Sequence, residues 1–596
     1  MVCYNIYKIL FYQKEEAEMD KRRIQQSLIV AACVIIAVVL VVVAGKVIHK
    51  YTPTKEEKDL YEYYGVEGDQ AAAIVLNHEI LEQKAVVKDN MLYLEYDTVR
   101  KLLNDRFYWD GNENLLLYTT ASDVITALAL EKEYSITKKK EEVDYVIVYA
   151  DGQTAYIAME YIKKYTDLDY QFYKDPNRMV VTTDWSDYTS VPVRGDTQIR
   201  YQGGIKSPIL AHVEKDTSLT LLESGENWNK VATEDGIIGY IKKKRLGKEE
   251  TKSYNHTYEE ETFEHILKDE KVTMAWHQVT TKEANNNVAN VIAATKGLNV
   301  ISPTWFYLND NDGNLMDLAS TDYVDYCHSQ GIDVWALVNN LENDEADSTE
   351  VLTHTSKRKK MANQLIAAAI QYNLDGINLD FEALPQEAGD AYVQFIRELS
   401  LKCENNGIIL SVDNYVPMEY NRFYNRREQA NFADYIIIMG YDEHYAGSDE
   451  GSVASIGFVE EGIANTLQEV PAEQLILGAP FFTRVWAEKP KEATDDVEAA
   501  AEGYVPYELS SHAVSMGEAW NMALVNGIEP AWSEEDGQYY AEYIKDGITY
   551  KIWLEDQRSM ELKLQAAKDN GLAGISFWKL GLEDAGMWDT VLKYMN

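Results

Sequence analysis

Residues 374–382 read Leu-Asp-Gly-Ile-Asn-Leu-Asp-Phe-Glu, a run that aims two carboxyl groups in one direction. Successive side chains of a strand point to opposite faces, so Asn378, Asp380 and Glu382 share one face while Ile377, Leu379 and Phe381 share the other. A polar face bearing two acids, set against an apolar face, is the pattern of an active-site strand. An antiparallel strand with one wetted face would show the same pattern. An Asp380 anion beside Glu382 raises the proton affinity of Glu382, which keeps an acid available near neutral pH.

The elements around this run decide between those readings. From about residue 270 apolar strands alternate with helices, and eight candidate strands fall at 272–276, 299–307, 332–338, 376–382, 408–414, 435–441, 475–481 and 573–578. Helical stretches such as 356–372 and 387–405 separate them. Eight strand-helix units predict a (β/α)8 TIM barrel over 268–596, with the acidic run at the C-terminal end of strand four, where barrel enzymes keep their chemistry. The interval between strands seven and eight is too long for one helix. Its strand-like segments at 538–543 and 549–554 predict a small α+β insertion, about 484–560, over one wall of the cleft.

The chain upstream divides further. Residues 28–45 carry no charge and are long enough to cross a bilayer, which predicts one transmembrane anchor over 28–48 with a cytoplasmic tail at 1–27. A cleaved signal peptide is the rival reading, and Val30-Ala31-Ala32-Cys33 resembles a lipoprotein cleavage box. Lys21, Arg22 and Arg23 precede the span while Lys46, Lys50 and Lys55 follow it, so charge only weakly orients it, and Met19 is an alternative start. Residues 49–70 read as a polar stalk. Residues 91–120 and 154–183 align without a gap, Tyr93 with Tyr156 and Trp109 with Phe172, and each reads as strand, helix and hairpin, predicting an α+β repeat module over 71–188. Short alternating strands over 191–250 predict a small β-barrel.

Composition narrows the partners. The 596 residues are 46% apolar and carry a formal charge of −42, a balance that repels phosphate backbones and excludes nucleic acid as the partner. Four cysteines, one before the span and one within it, make no disulfide framework. No Cys/His constellation has metal-ligand spacing, Asp310-Asn311-Asp312-Gly313 reads as a plain turn, and no cofactor or metal is expected.

The motifs carry a resemblance. Asp375, Asn378, Asp380 and Glu382 match the Asp-x-x-Asp-x-Asp-x-Glu pattern of glycoside hydrolase family 18, the chitinase and endo-N-acetylglucosaminidase family, with Asn378 where the family commonly has Asp. Met439-Gly440-Tyr441-Asp442 matches its Met-x-Tyr-Asp, followed by Gly478–Trp486 on strand seven and Trp578 closing strand eight. Tyr441-Asp442-Glu443-His444 together with 574–581 is similar to the spore-cortex-lytic and spore-germination subgroup. Residues 71–188 resemble a copper-amine-oxidase-like N-terminal domain, which carries no copper chemistry. Residues 191–250, with Trp228-Asn229-Lys230-Val231 and Gly236-Ile237-Ile238-Gly239-Tyr240, look like a bacterial SH3 domain, a module that binds peptidoglycan or acts as a spacer.

The resemblance implies hydrolysis of β-1,4-linked N-acetylglucosamine polymers, peptidoglycan rather than chitin, by an anchored protein whose barrel faces outward from a Gram-positive cell membrane. Glu382 is implied as general acid and base, Asp380 as the group orienting the substrate's 2-acetamido arm, and Tyr441 as a donor to its carbonyl, with Asp375, Asn378 and Asp442 in support. Two acids two residues apart on one strand lie on one side of the scissile bond, which suits orientation better than attack by Asp380 from the opposite face. The Asn378 amide is expected to donate to Asp380. Trp578 is expected under the distorted sugar, with Trp553, Tyr415, Asn339, Phe306 and Arg484 adding to the cleft. The alternative is a non-catalytic glycan-binding protein on the same barrel.

Overall fold

The structure, a computed structural model, describes residues 1–151, 154–491 and 507–595. Eight parallel strands form a closed barrel: β1 Val272–His277, β2 Val300–Leu308, β3 Asp333–Asn339, β4 Gly376–Asp380, β5 Ile409–Tyr415, β6 Tyr435–Met439, β7 Leu475–Pro480 and β8 Gly574–Trp578. Closure is explicit, since β1 pairs with both β2 and β8. A parallel barrel covered by helices buries both faces of each strand, so its strands are near-continuous apolar runs. Ile436, Ile437 and Ile438 of β6 are all fully buried.

Helix α1, Thr355–Tyr372, buries Arg358, Met361, Ala362, Leu365 and Ala369, the one-sided spacing of a helix against a sheet. It ends where Asn373 turns into left-handed backbone, φ 56°. Helix α2, Gly389–Glu404, follows β4. Strands β4 and β6 are each two residues shorter than the sequence pattern predicts. Glu382 and Tyr441 therefore stand on the loops just past the strand ends, free of the ladder.

Between β7 and β8 the chain builds a five-stranded antiparallel sheet from Phe482–Pro490, Tyr507–Ser515, Ala531–Ser533, Gln538–Lys545 and Ile548–Leu554, with the helix Met516–Val525 packed on it. The expected α+β insertion is present. Its long first hairpin is an addition to the sequence reading, and part of the segment joining that hairpin's strands lies outside the described residues.

By contacts the chain falls into two units, Met1–Leu94 with Ala158–Tyr258, and Glu95–Ile157 with Glu259–Asn596. This boundary runs through the module expected over 71–188. In the second unit a meander beginning with Tyr108–Asp110 and Leu115–Thr119 packs on the barrel helices. Asp110 Oδ2 accepts from the Thr355 N–H (2.7 Å) and hydroxyl (2.6 Å) at the start of α1. Glu428 is held between Arg106 (3.0 Å) and Arg397 (2.8 Å), and Arg358 pairs with Glu398 (2.9 Å) beneath the Tyr108 ring.

In the first unit Ala71–Leu76 runs parallel to Arg178–Thr182. Seven strands within 188–252 form one antiparallel sheet around Val191, Ile199, Leu219, Val231 and Ile241. The C-terminal part of the segment expected as a polar stalk is docked: Tyr64 is buried and donates to the Gly236 carbonyl (2.9 Å), and Tyr63 donates to the Ile238 carbonyl (2.7 Å). The N-terminal helix Val2–Tyr51 is long and apolar enough to cross a membrane.

Candidate active site

The parallel register brings the polar groups together at the C-terminal end of the barrel. Asp380 lies opposite Asn339 on β3, and Leu379 opposite Val412 on β5. One residue further along, Asp380 sits beside Asp413. Both carboxyls are buried, 8% and 3% exposed.

Asn378 is the hub beneath them. Its Oδ1 accepts from the Trp276 indole N–H (2.8 Å) and the Ser302 hydroxyl (3.1 Å), while its amide donates to Ser411 (3.1 Å) and Asp413 Oδ1 (2.7 Å). The expected bond from Asn378 to Asp380 is not made. Trp276 and Ser302 claim the acceptor side of the amide, which turns its donors toward β5. Asp380 Oδ1 has no hydrogen-bond partner although it is buried.

Glu382 is fixed through its backbone and its carboxyl. Asn340 accepts from its N–H (2.9 Å) and donates to its carbonyl (3.0 Å), a two-point clamp that holds the loop after β4. The Tyr415 hydroxyl accepts from the Ala383 N–H (3.1 Å) and bonds the Glu382 carboxyl. Ala383 takes left-handed backbone, φ 50°, uncommon for a residue with a Cβ, and that turn directs Glu382 off the strand.

The electrostatics follow from this crowding. Burial, then Glu382 and Asp413, push the Asp380 carboxyl well above the usual carboxylate range. Glu382 is raised by burial and by Asp442, against the Tyr415 hydrogen bond. Asp413 is raised by burial and by Glu382, against its bond from Asn378. Burial also raises Asp442, opposed by the Arg484 guanidinium. Like charges in a low-dielectric pocket cannot all ionise together, so the cluster retains a proton at a pH where free carboxylates have lost theirs.

An aromatic wall completes the site. Trp276 stands edge-on to Tyr441 (6.4 Å between centroids) and inclined to the partly exposed Trp578 (5.8 Å). Gly478 on β7 makes room, since a Cβ there would come within 3.2 Å of the Tyr441 ring.

Other expected residues make contacts of their own. Asp375 is at the opposite end of β4, where its carboxylate accepts from the Val334 N–H (2.8 Å) and pairs with His328 (2.7 Å). Five residues of strand separate it from Asp380, about 16 Å, so it supports the barrel floor. Phe306, near the C-terminal end of β2, is 2% exposed and packs in the barrel core. Asn339, opposite Asp380 at the end of β3, accepts from the Leu341 N–H (3.0 Å), and its neighbour Asn340 holds Glu382. The Trp553 indole donates to Asp536 (3.2 Å) and its ring packs on Tyr540, both inside the insertion. Asp310 accepts from the N–H groups of Asp312 and Asn314 in a plain turn. Asp413, Trp276 and Asn340 escaped the sequence reading. The alternation Ser411, Asp413, Tyr415 on β5 repeats that of Asn378, Asp380, Glu382 and was the available signal for the first of them.

A closed parallel barrel whose strand ends present proton-holding acids beside aromatic rings has the equipment of a glycosidase. A profile of the glycosyl hydrolases family 18 matches residues 276–583, and the chain belongs to that family. It is a glycan-cleaving hydrolase. Among curated relatives, the uncharacterised glycosylase YvbX of Bacillus subtilis (strain 168) is 24% identical over 314 residues, 50% of this chain and 84% of that one. A cortical fragment-lytic enzyme of Bacillus anthracis is 24% identical over 330 residues, 53% of this chain and 73% of that one. The Bacillus cereus spore cortex-lytic enzyme SleL aligns in structure at a TM-score of 0.47 and 21% identity, covering 58% of this chain and 79% of that one.

Proposed function

We propose that this glycosidase cleaves β-1,4 bonds of N-acetylglucosamine-containing wall polymers, peptidoglycan rather than chitin, by substrate-assisted retaining catalysis. The observation that carries the mechanism is the buried, unpartnered Asp380 Oδ1 beside Glu382. An orphaned buried acceptor costs about 1–3 kcal/mol, and an acetamido N–H from a bound sugar would satisfy it.

Glu382 then protonates the leaving oxygen as the C1–O bond breaks, while the acetamido carbonyl oxygen forms the new bond to C1 from the other side. The N–H of the resulting oxazolinium ion is held by Asp380, and Tyr441 donates to its oxygen. Glu382, now a carboxylate, takes a proton from the water that opens the ring, and the product keeps the β configuration. Trp578 supports the distorted sugar, since an aromatic face packs well on a pyranose.

The cortical fragment-lytic enzymes among the relatives favour a peptidoglycan substrate. The apolar helix Val2–Tyr51 supports a single-pass anchor, and a wall polymer as substrate requires the barrel to face outside the cell. We assign residues 71–188 and 191–250 as copper-amine-oxidase-like and SH3-like modules. A cavity of about 370 Å3 in the first unit, lined by Trp185, Tyr188 and Tyr254 together with Asp169 and Glu234, supports a wall-binding role for that unit.

Mass spectrometry of products from purified peptidoglycan, spore cortex and chitin oligomers tests the substrate. Cortex and peptidoglycan fragments are expected, and release from chitin oligomers alone would reverse the choice. A thiazoline analogue of N-acetylglucosamine should inhibit, and proton NMR at early times should show the β anomer. Inversion would exclude the mechanism.

A further inference from the structure

In the family pattern a second acid precedes Asp380 by two residues, and here that position is Asn378. The geometry points to Asp413 on β5 as the residue that holds the shared proton in its place, a positioning partner for Asp380 reached across the strand pair. This inference rests on the substrate-assisted reading above.

The argument starts from Asn378, whose four hydrogen bonds fix its orientation. Trp276 and Ser302 both donate to its oxygen, so its amide must present donors to Ser411 and to Asp413 Oδ1. Asp413 is thus anchored through Oδ1 by a neutral donor. Its second oxygen remains available to a neighbour, and the register puts Asp380 there. Asp380 Oδ1 is buried and makes no bond of its own. Two buried carboxyls at adjacent positions of neighbouring strands are stable only with a proton between them. The titratable groups that act on this pair are Glu382 beyond β4, Tyr441 after β6, Tyr392 on α2, and Tyr424. None is a cation, and Arg484 acts on Asp442. The proton is therefore the balancing charge.

When substrate enters, Asp380 is free to turn its oxygens toward the acetamido N–H while Asp413 stays fixed by Asn378. Removing the carboxyl at 413 takes away one like charge, so the remaining acids lose their protons at lower pH. Asp413→Asn should retain the Asn378 bond, since the side-chain oxygen still accepts it. Its alkaline limb of kcat/KM should fall by about one pH unit, about a tenfold loss above that limb.

The deciding experiment is a swap. Asn378→Asp combined with Asp413→Asn exchanges acid and amide across the same hydrogen bond, and Trp276 and Ser302 still find an acceptor at 378. We expect the double variant to restore the pH profile and most of the rate lost by Asp413→Asn. An unchanged profile in Asp413→Asn overturns the assignment. So does a folded but slow Asp413→Asn that the second substitution does not rescue, because a merely structural role predicts that outcome. If Asp413→Asn alone does not fold, the double variant decides: a parental alkaline limb supports the role, and a displaced limb or an inactive protein excludes it. The thiazoline analogue measured on the parent enzyme separates this from the mechanism itself, since failure to inhibit would remove substrate assistance whatever the swap shows.

Discussion

At the scale of single residues, the site concentrates acids that protein folding alone would avoid. Glu382→Gln keeps the clamp from Asn340, which acts on the backbone, and removes only the proton. Turnover should fall by about 10²–10⁴-fold with fold and glycan binding intact, and a variant at full rate would end the assignment of Glu382. The same crowding has a stability signature. The folded-state proton affinities of Asp380, Glu382 and Asp413 lie above their ordinary values, so above about pH 4 the native state binds more protons than the unfolded chain and stability falls as pH rises. Asp380→Asn removes part of that penalty. Its Tm should exceed the parent's at pH 7 by roughly 2–4 °C, with the gap closing toward pH 4, while activity is lost. A lower Tm at pH 7 would show that Asp380 contributes more by bonding than it costs by charge.

At the scale of elements, the meander at 108–142 belongs energetically to the barrel. Glu428 is raised by burial but held below the usual carboxylate range overall by Arg397 and Arg106. Its contribution is therefore present above the unfolded value and is lost as pH falls through the folded one. Arg106→Ala leaves that buried carboxylate one partner short and should cost about 3 kcal/mol, read by urea unfolding. A loss under 1 kcal/mol would mean that solvent already screens the pair. A chain beginning at residue 268, the boundary suggested by the sequence, would also strip the Asp110 cap from α1 and uncover Arg358. It should be less stable or less soluble than a chain beginning at residue 95, and equal stability of the two would show that the meander is a passenger.

At the scale of the whole molecule, the docking of Tyr63 and Tyr64 shortens the exposed connector after the N-terminal helix. Backbone bonds from Thr54 and Lys58 to Ile205 and Ile209 (both 2.8 Å) extend that docking upstream, so protease added to intact protoplasts should release a soluble fragment beginning at about residues 50–53, where local opening is cheap. Release only after lysis would put the barrel on the cytoplasmic side and deprive a wall-degrading enzyme of its polymer.

What the sequence determined by itself is what short-range periodicity encodes. Two-residue alternation aligned Asn378, Asp380 and Glu382, and the repeat of apolar strand and amphipathic helix specified the barrel and put those acids at its C-terminal end. The strand, helix and hairpin order at 91–120 and 154–183 was legible for the same reason. Only tertiary structure could pair Asn378 with Trp276, 102 residues away, seat Asp413 beside Asp380, bring Asn340 onto the Glu382 backbone, and attach the first hairpin of the repeat to the barrel. Each of those depends on the register of strands or the packing of helices distant along the chain, and side-chain spacing within one segment carries no information about which distant segment lies next to it.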